Sequence, residues 1–160
     1  MEDIYFIINM NILYLDYDKL IESFETVIKY AMKESDTFSL ITNQKKPYLN
    51  NPPITQHDLF ISKFSDHLVK TILNVKEWEG TKTRENHKVM LVYNSNNKII
   101  RSLDDKCNFF DCISLDLPED ICFYRFGNPW FATISHEKIA YLINPEKKDI
   151  SLFEKYQIKK

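Results

Sequence analysis

The chain has 160 residues, of which 44% are hydrophobic and 28% charged, with 21 basic against 23 acidic side chains and a formal net charge of −2. That length suits one globular domain, residues 1–160, and the apolar share is enough to offset the entropy of ordering, which excludes global disorder. A nucleic-acid binder draws its affinity from neutralised phosphates, and this chain has no basic excess to supply it.

Residues 4–15 are rich in Ile, Phe and Tyr and predict one or two strands. The same run is broken by Asn9 and Asn11 and is too short to cross a bilayer, so no membrane partner is expected. The Met-Glu-Asp start lacks the basic region of a secretory signal, and three cysteines, Cys107, Cys112 and Cys122, cannot all pair within one chain. Reduced thiols in a cytoplasm are the expectation.

The clearest helix follows. Leu20, Ile21, Phe24, Val27, Ile28, Ala31 and Met32 repeat at the helical period, with Asp18 as the expected N-cap and Glu25 to Lys29 as a favourable i,i+4 pair. Residues 43–53, with Asn, Gln, Lys and three prolines, predict a surface loop. A second helix should begin with Thr55 capping towards Asp58 and Ile54 stapled to Leu59, burying Phe60, Phe64 and Leu68.

From Val69 the period changes to two. Val69, Thr71, Leu73 and Val75 alternate, Val89 to Tyr93 is apolar on both faces as a central strand would be, and the Asn94–Asn97 turn cluster precedes an expected strand from Ile99 to Leu103. Three more strands are predicted at Ile121–Phe126, Trp130–Ile134 and Ile139–Ile143, joined by connections too short for a parallel crossover. Asn144 and Pro145 should open a short C-terminal helix as N-cap and N1, with Ile150, Phe153 and Tyr156 inward. The expected fold is α+β: an antiparallel meander sheet with two helices from the N-terminal half on one face and a short C-terminal helix.

Gly80 and Gly127 are the only glycines. A phosphate-cradling P-loop, the dinucleotide fingerprint and the Gly-x-Ser-x-Gly nucleophile elbow therefore cannot be written, and no cofactor is expected. His136-Glu137 opens a zinc-protease pattern, but its second imidazole is replaced by Ala140, leaving a polar turn. Cys107, Cys112, Cys122 and His136 supply Cys3His ligand types at separations unlike zinc knuckles, so buried small cysteines are preferred and no metal site is expected. Glu146-Lys147-Lys148 with Asp120 offers a Glu-x-Lys nuclease pattern, yet Pro145 marks a helix start there. His57, His67 and His87 have no ligating neighbours in sequence.

What remains is surface. Asp104, Asp105, Asp111, Asp116, Glu119 and Asp120 cluster against Lys106 alone, and the first 36 residues carry eight acidic to three basic side chains. Carboxylates of this kind are common turn formers, but a clustered set also steers basic proteins towards it. Tyr124–Phe131 combines Tyr, Arg, Phe and Trp, the residue types of binding hot spots, with Arg125 and the Gly127 turn as the parts expected to be exposed.

The functional expectation is a non-catalytic inhibitor that binds a protein partner: an immunity protein neutralising an antibacterial toxin, with a nuclease as a fitting target. Asp104, Asp105, Asp111, Asp116, Glu119, Asp120 and Arg125 are its partner-binding candidates, and no catalytic residue is assigned. The alternatives are a small enzyme, either a thiol hydrolase using Cys122 and His136 or a nuclease or transferase, and a structural or scaffolding subunit.

Overall fold

The computed structural model describes residues 10–44, 56–100 and 118–158. Among the described residues, nine strands and five α-helices follow in chain order: β1 Ile12–Leu15, α1 Tyr17–Glu22, α2 Phe24–Lys33, β2 Thr37–Asn43, α3 Gln56–Ser62, β3 Leu68–Leu73, β4 Glu77–Trp78, β5 Thr81–Lys82, β6 Lys88–Asn94, α4 Asn97–Ile100, β7 Glu119–Arg125, β8 Asn128–Ile134, β9 Ile139–Ile143 and α5 Lys147–Phe153. Seven strands form one sheet in the order β1-β9-β8-β7-β2-β6-β3, every pair antiparallel, while β4 and β5 make a separate hairpin. The fold is α+β, as its hydrophobic periods predict.

The main core lies on one face of the sheet. Leu20, Val27, Ile28, Ala31 and Met32 from α1 and α2, Phe60 from α3, Ile99 from α4 and Phe153 from α5 all bury there. An aromatic row crosses this face: Phe64, Tyr93, Phe38, Phe123, Phe131 and Phe153 succeed one another with ring centroids 5.2–6.0 Å apart. Each such pair contributes about 0.5–1.5 kcal/mol beyond its buried area. The opposite face carries a smaller cluster of Cys122, Ala132, Ile134, Tyr141 and Ile143.

The β4–β5 hairpin is seated on that second face. A Cβ on Gly80 (φ +75°) would lie 2.6 Å from the Tyr141 hydroxyl and 2.7 Å from Ile134 Cδ1, so the turn fits only without a side chain.

Two β-bulges decide which residues face where. On β8 the register against β7 shifts at Trp130, so Trp130 and its neighbour Phe131 both enter the main core. On β7 the register against β2 shifts between Glu119 and Cys122, and Asp120 takes a positive φ of 42° within the extra residue's span.

Several local expectations are corrected. The first helix is two, divided at Ser23, and its N-cap is Asp16 rather than Asp18: the Lys19 N–H donates to Asp16 Oδ1 at 3.3 Å. Strand β2 occupies the middle of the sheet where no strand was predicted. Ile99 and Ile100 lie in a helical turn, not a strand, because Asn96 caps it by accepting the Lys98 N–H at 2.8 Å. The C-terminal helix starts two residues late. Asn144 adopts φ +47° and accepts the Asn11 N–H at 2.8 Å, so Glu146 becomes the N-cap in a capping box with Asp149. Leu68 and Ile150 are exposed rather than inward, and Val69 and Leu73 sit on an exposed edge strand. Ile54, Thr55 and residues 101–103 lie outside the described residues. No helix among the described residues is long and apolar enough to cross a membrane.

Candidate functional site

Strand β7 carries a polar constellation at each end. At its C-terminal end, Arg125 pairs with Asn128, which leaves Phe126-Gly127 as a two-residue turn with φ values of +50° and +76°. Those signs define the type I′ hairpin turn, which matches the twist of the flanking strands and favours Asn-Gly. Phe126 is 91% exposed. Its N–H is held by the Asp36 carboxylate, and the Asp36 N–H in turn donates to the Tyr124 carbonyl at 3.0 Å.

Behind this tip lies a rigid ionic block. The Arg125 guanidinium donates to both oxygens of Asp149 at 2.8 Å and to the Glu34 carbonyl at 2.9 Å, and it stacks 3.7 Å from the Trp130 ring centroid. Asp149 also accepts the Tyr30 hydroxyl at 2.7 Å and the Glu146 N–H at 2.8 Å. Burial opposes the Asp149 charge, but the hydrogen bonds from Arg125, Tyr30 and Glu146 outweigh it and hold the carboxyl below its usual range. The Arg125 side chain is only 12% exposed, so the expectation of an exposed arginine is corrected. A planar guanidinium that stacks and bonds in two directions is committed to the interior.

At the N-terminal end, Asp120 is 2% exposed. Its carboxylate accepts the Trp78 indole N–H from β4 at 2.8 Å and the Ser135 N–H at 2.7 Å, tying the hairpin and the β8–β9 turn to β7. Burial pushes this carboxyl above its ordinary value, only partly offset by those two hydrogen bonds. Glu119, half-buried, forms an ion pair with Lys88 at 3.1 Å. His136 sits on the β8–β9 turn, where a polar turn was expected, and brings its imidazole near both carboxylates.

Of the seven partner-binding candidates, then, Asp120 and Arg125 serve the interior and Glu119 is already neutralised in part. Asp104, Asp105, Asp111 and Asp116, like Cys107 and Cys112, lie outside the described residues. The acidic excess of the first helices is also offset locally, by Asp16–Lys19, Glu25–Lys29, Glu34–Lys148 and, at 3.9 Å, Asp18–Lys138.

Cys122 and His136 sit in different settings, the thiol buried and the imidazole exposed. Cys122 is buried on the second sheet face, burial raises its thiol well above the ordinary value, and its Sγ–H donates to the Phe123 carbonyl at 3.9 Å. A thiolate nucleophile is disfavoured there. The nuclease pattern does not assemble. Glu146 and Lys148 sit beside Arg125, five residues and about 16 Å along β7 from Asp120.

Sequence reasoning missed Asp149 and Trp78, and it included Phe126 in the Tyr124–Phe131 segment without singling out its exposure. A positive φ at Phe126 could be suspected from the Gly-Asn-Pro that follows it, but the partners of Asp149 and Trp78 lie 24 and 42 residues away. Comparison with protein-family models, with curated proteins and with solved structures finds no match to this chain.

Proposed function

We propose that the chain is a non-catalytic binding protein of the immunity type, which neutralises a cognate antibacterial toxin in the cytoplasm by covering it. The observation that carries this reading is Phe126. A bulky aromatic with 91% of its surface in water, on a turn whose positive φ disfavours it, works against folding. Such a residue suits an anchor that enters an apolar pocket on a partner, and the Arg125–Asp149–Trp130 block supplies the rigidity that limits the entropy lost on binding. The acidic residues Asp104, Asp105, Asp111 and Asp116 enter by sequence as steering charges for a basic partner, with a toxin nuclease the class that they suit. The buried, non-nucleophilic state of Cys122 weighs against the thiol hydrolase alternative.

The test is coexpression with the product of the adjacent gene, as the candidate toxin. Wild-type protein should protect the cell and copurify as a stable complex. Phe126→Asn should fold at least as well and lose both properties. The reading fails if wild type gives neither complex nor protection, or if Phe126→Asn protects equally.

A further inference from the structure

We propose that Glu119, Asp120 and His136 form a binding site for a divalent first-row transition ion of the zinc class, independent of the hairpin tip at the other end of β7. One ligand atom from each residue lies within 4.8 Å of the other two. Ligands held tetrahedrally at about 2.1 Å from a shared ion stand about 3.4 Å apart, so closing the set needs a shift of up to about 1.4 Å. His136 can supply it, being exposed on a turn.

The residues come from two segments that the fold brings together. The β7 bulge carries Glu119 and Asp120, and the β8–β9 turn carries His136. The turn is fastened to the bulge by the Ser135 N–H on Asp120 Oδ1 and by the Asp120 N–H on Ser135 Oγ at 3.3 Å. Those bonds hold the two ligand-bearing segments together, while the His136 side chain stays free to adjust.

Lone pairs remain for an ion. Each Asp120 oxygen accepts one hydrogen bond, and an ionised carboxylate offers about four acceptor positions in all. The bonds from Trp78 and Ser135 would then act as the outer-sphere bonds that orient ligating carboxylates. Glu119 gives Oε1 to Lys88 and keeps its second oxygen. The donor set of one imidazole nitrogen and two carboxylate oxygens suits a borderline ion better than magnesium or calcium, which take all-oxygen shells. With the histidine side at the surface, a coordination position stays open to water or to a group from a bound molecule.

The experiment is a titration of the full-length chain with cobalt(II), followed by visible absorption and by paramagnetic broadening of amide resonances, and then with zinc(II) by calorimetry. Saturable one-to-one uptake is expected, with broadening centred on His136, Glu119 and Asp120. His136→Ala should weaken binding by at least about tenfold while leaving the metal-free melting curve unchanged. His87→Ala, which alters an exposed imidazole paired only with Glu85, should bind like wild type. The assignment is overturned by absence of saturable uptake at millimolar cobalt, by a thiolate-to-cobalt charge-transfer band, by undiminished binding in His136→Ala, or by magnesium binding as tightly as zinc.

Discussion

Phe126 has neither a favourable backbone conformation nor a buried side chain, and both deficits are local. Asn is the preferred residue at the first central position of a type I′ turn before Gly, so Phe126→Asn should raise folding stability by about 0.5–1 kcal/mol in denaturant titration. A gain in stability coupled to a loss of partner binding separates an anchor from a merely tolerated residue. Cys122 makes the opposite case, since its thiol is buried and held above its ordinary value by that burial. In a Cys107→Ser, Cys112→Ser variant, Cys122 should resist a thiol reagent in the native state and react once denaturant is added. Prompt native labelling would restore the thiol-enzyme reading. The burial of Cys122 agrees with the expectation of small buried cysteines, whereas the sequence did not announce the exposure of Phe126, because exposure belongs to neighbours that are distant along the chain.

Elements were legible where the pattern was local. The strands at β7, β8 and β9 follow from β-branched and aromatic runs separated by two- to four-residue turns, and the α2 stripe from its helical period. Strand β2 was not legible: the alternation in Thr37–Asn43 lasts only four residues before Ile41 interrupts it, and its partners β6 and β7 lie far downstream. The β4–β5 hairpin escaped because each of its strands has only two residues. Its attachment rests on Gly80 beneath Tyr141 and on Trp78 over Asp120. Gly80→Ala forces a left-handed backbone on an L-residue and a clash with Tyr141, and should destabilise the chain by at least about 1–2 kcal/mol. Hydrogen exchange should quicken first at residues 77–82. Unchanged protection there would show that the hairpin is not held through Gly80.

Over the molecule as a whole, seven antiparallel strands put the helices on one face and a hairpin on the other, and the ends of β7 report on both layers. The Arg125–Asp149 pair joins the sheet to α5 and, through Tyr30, to α2. Asp149 is held below the ordinary aspartate value of 3.8, so its contribution is complete above that pH and is lost as the pH falls through the lowered value. Asp149→Asn removes the buried carboxylate that binds Arg125 at 2.8 Å, leaving only the more exposed Glu146 at 3.7 Å, and should cost about 3–5 kcal/mol at neutral pH. The gap between wild type and variant should narrow in denaturation curves recorded well below pH 3.8. A gap that is constant with pH would mean that the carboxylate charge is not what stabilises the native state.

Composition, period and turn residues by themselves determined the α+β class, the antiparallel pairing of the last strands, the main helical stripe and the absence of glycine-dependent phosphate sites, because each depends on residues within about ten positions of one another. Only the tertiary structure decided that Arg125 and Asp120 turn inward, that Phe126 stands alone in solvent, that β2 divides the sheet and that His136 meets two carboxylates. Those outcomes depend on which distant groups satisfy a buried charge or hydrogen bond, and a one-residue bulge is enough to reassign the face on which a side chain emerges.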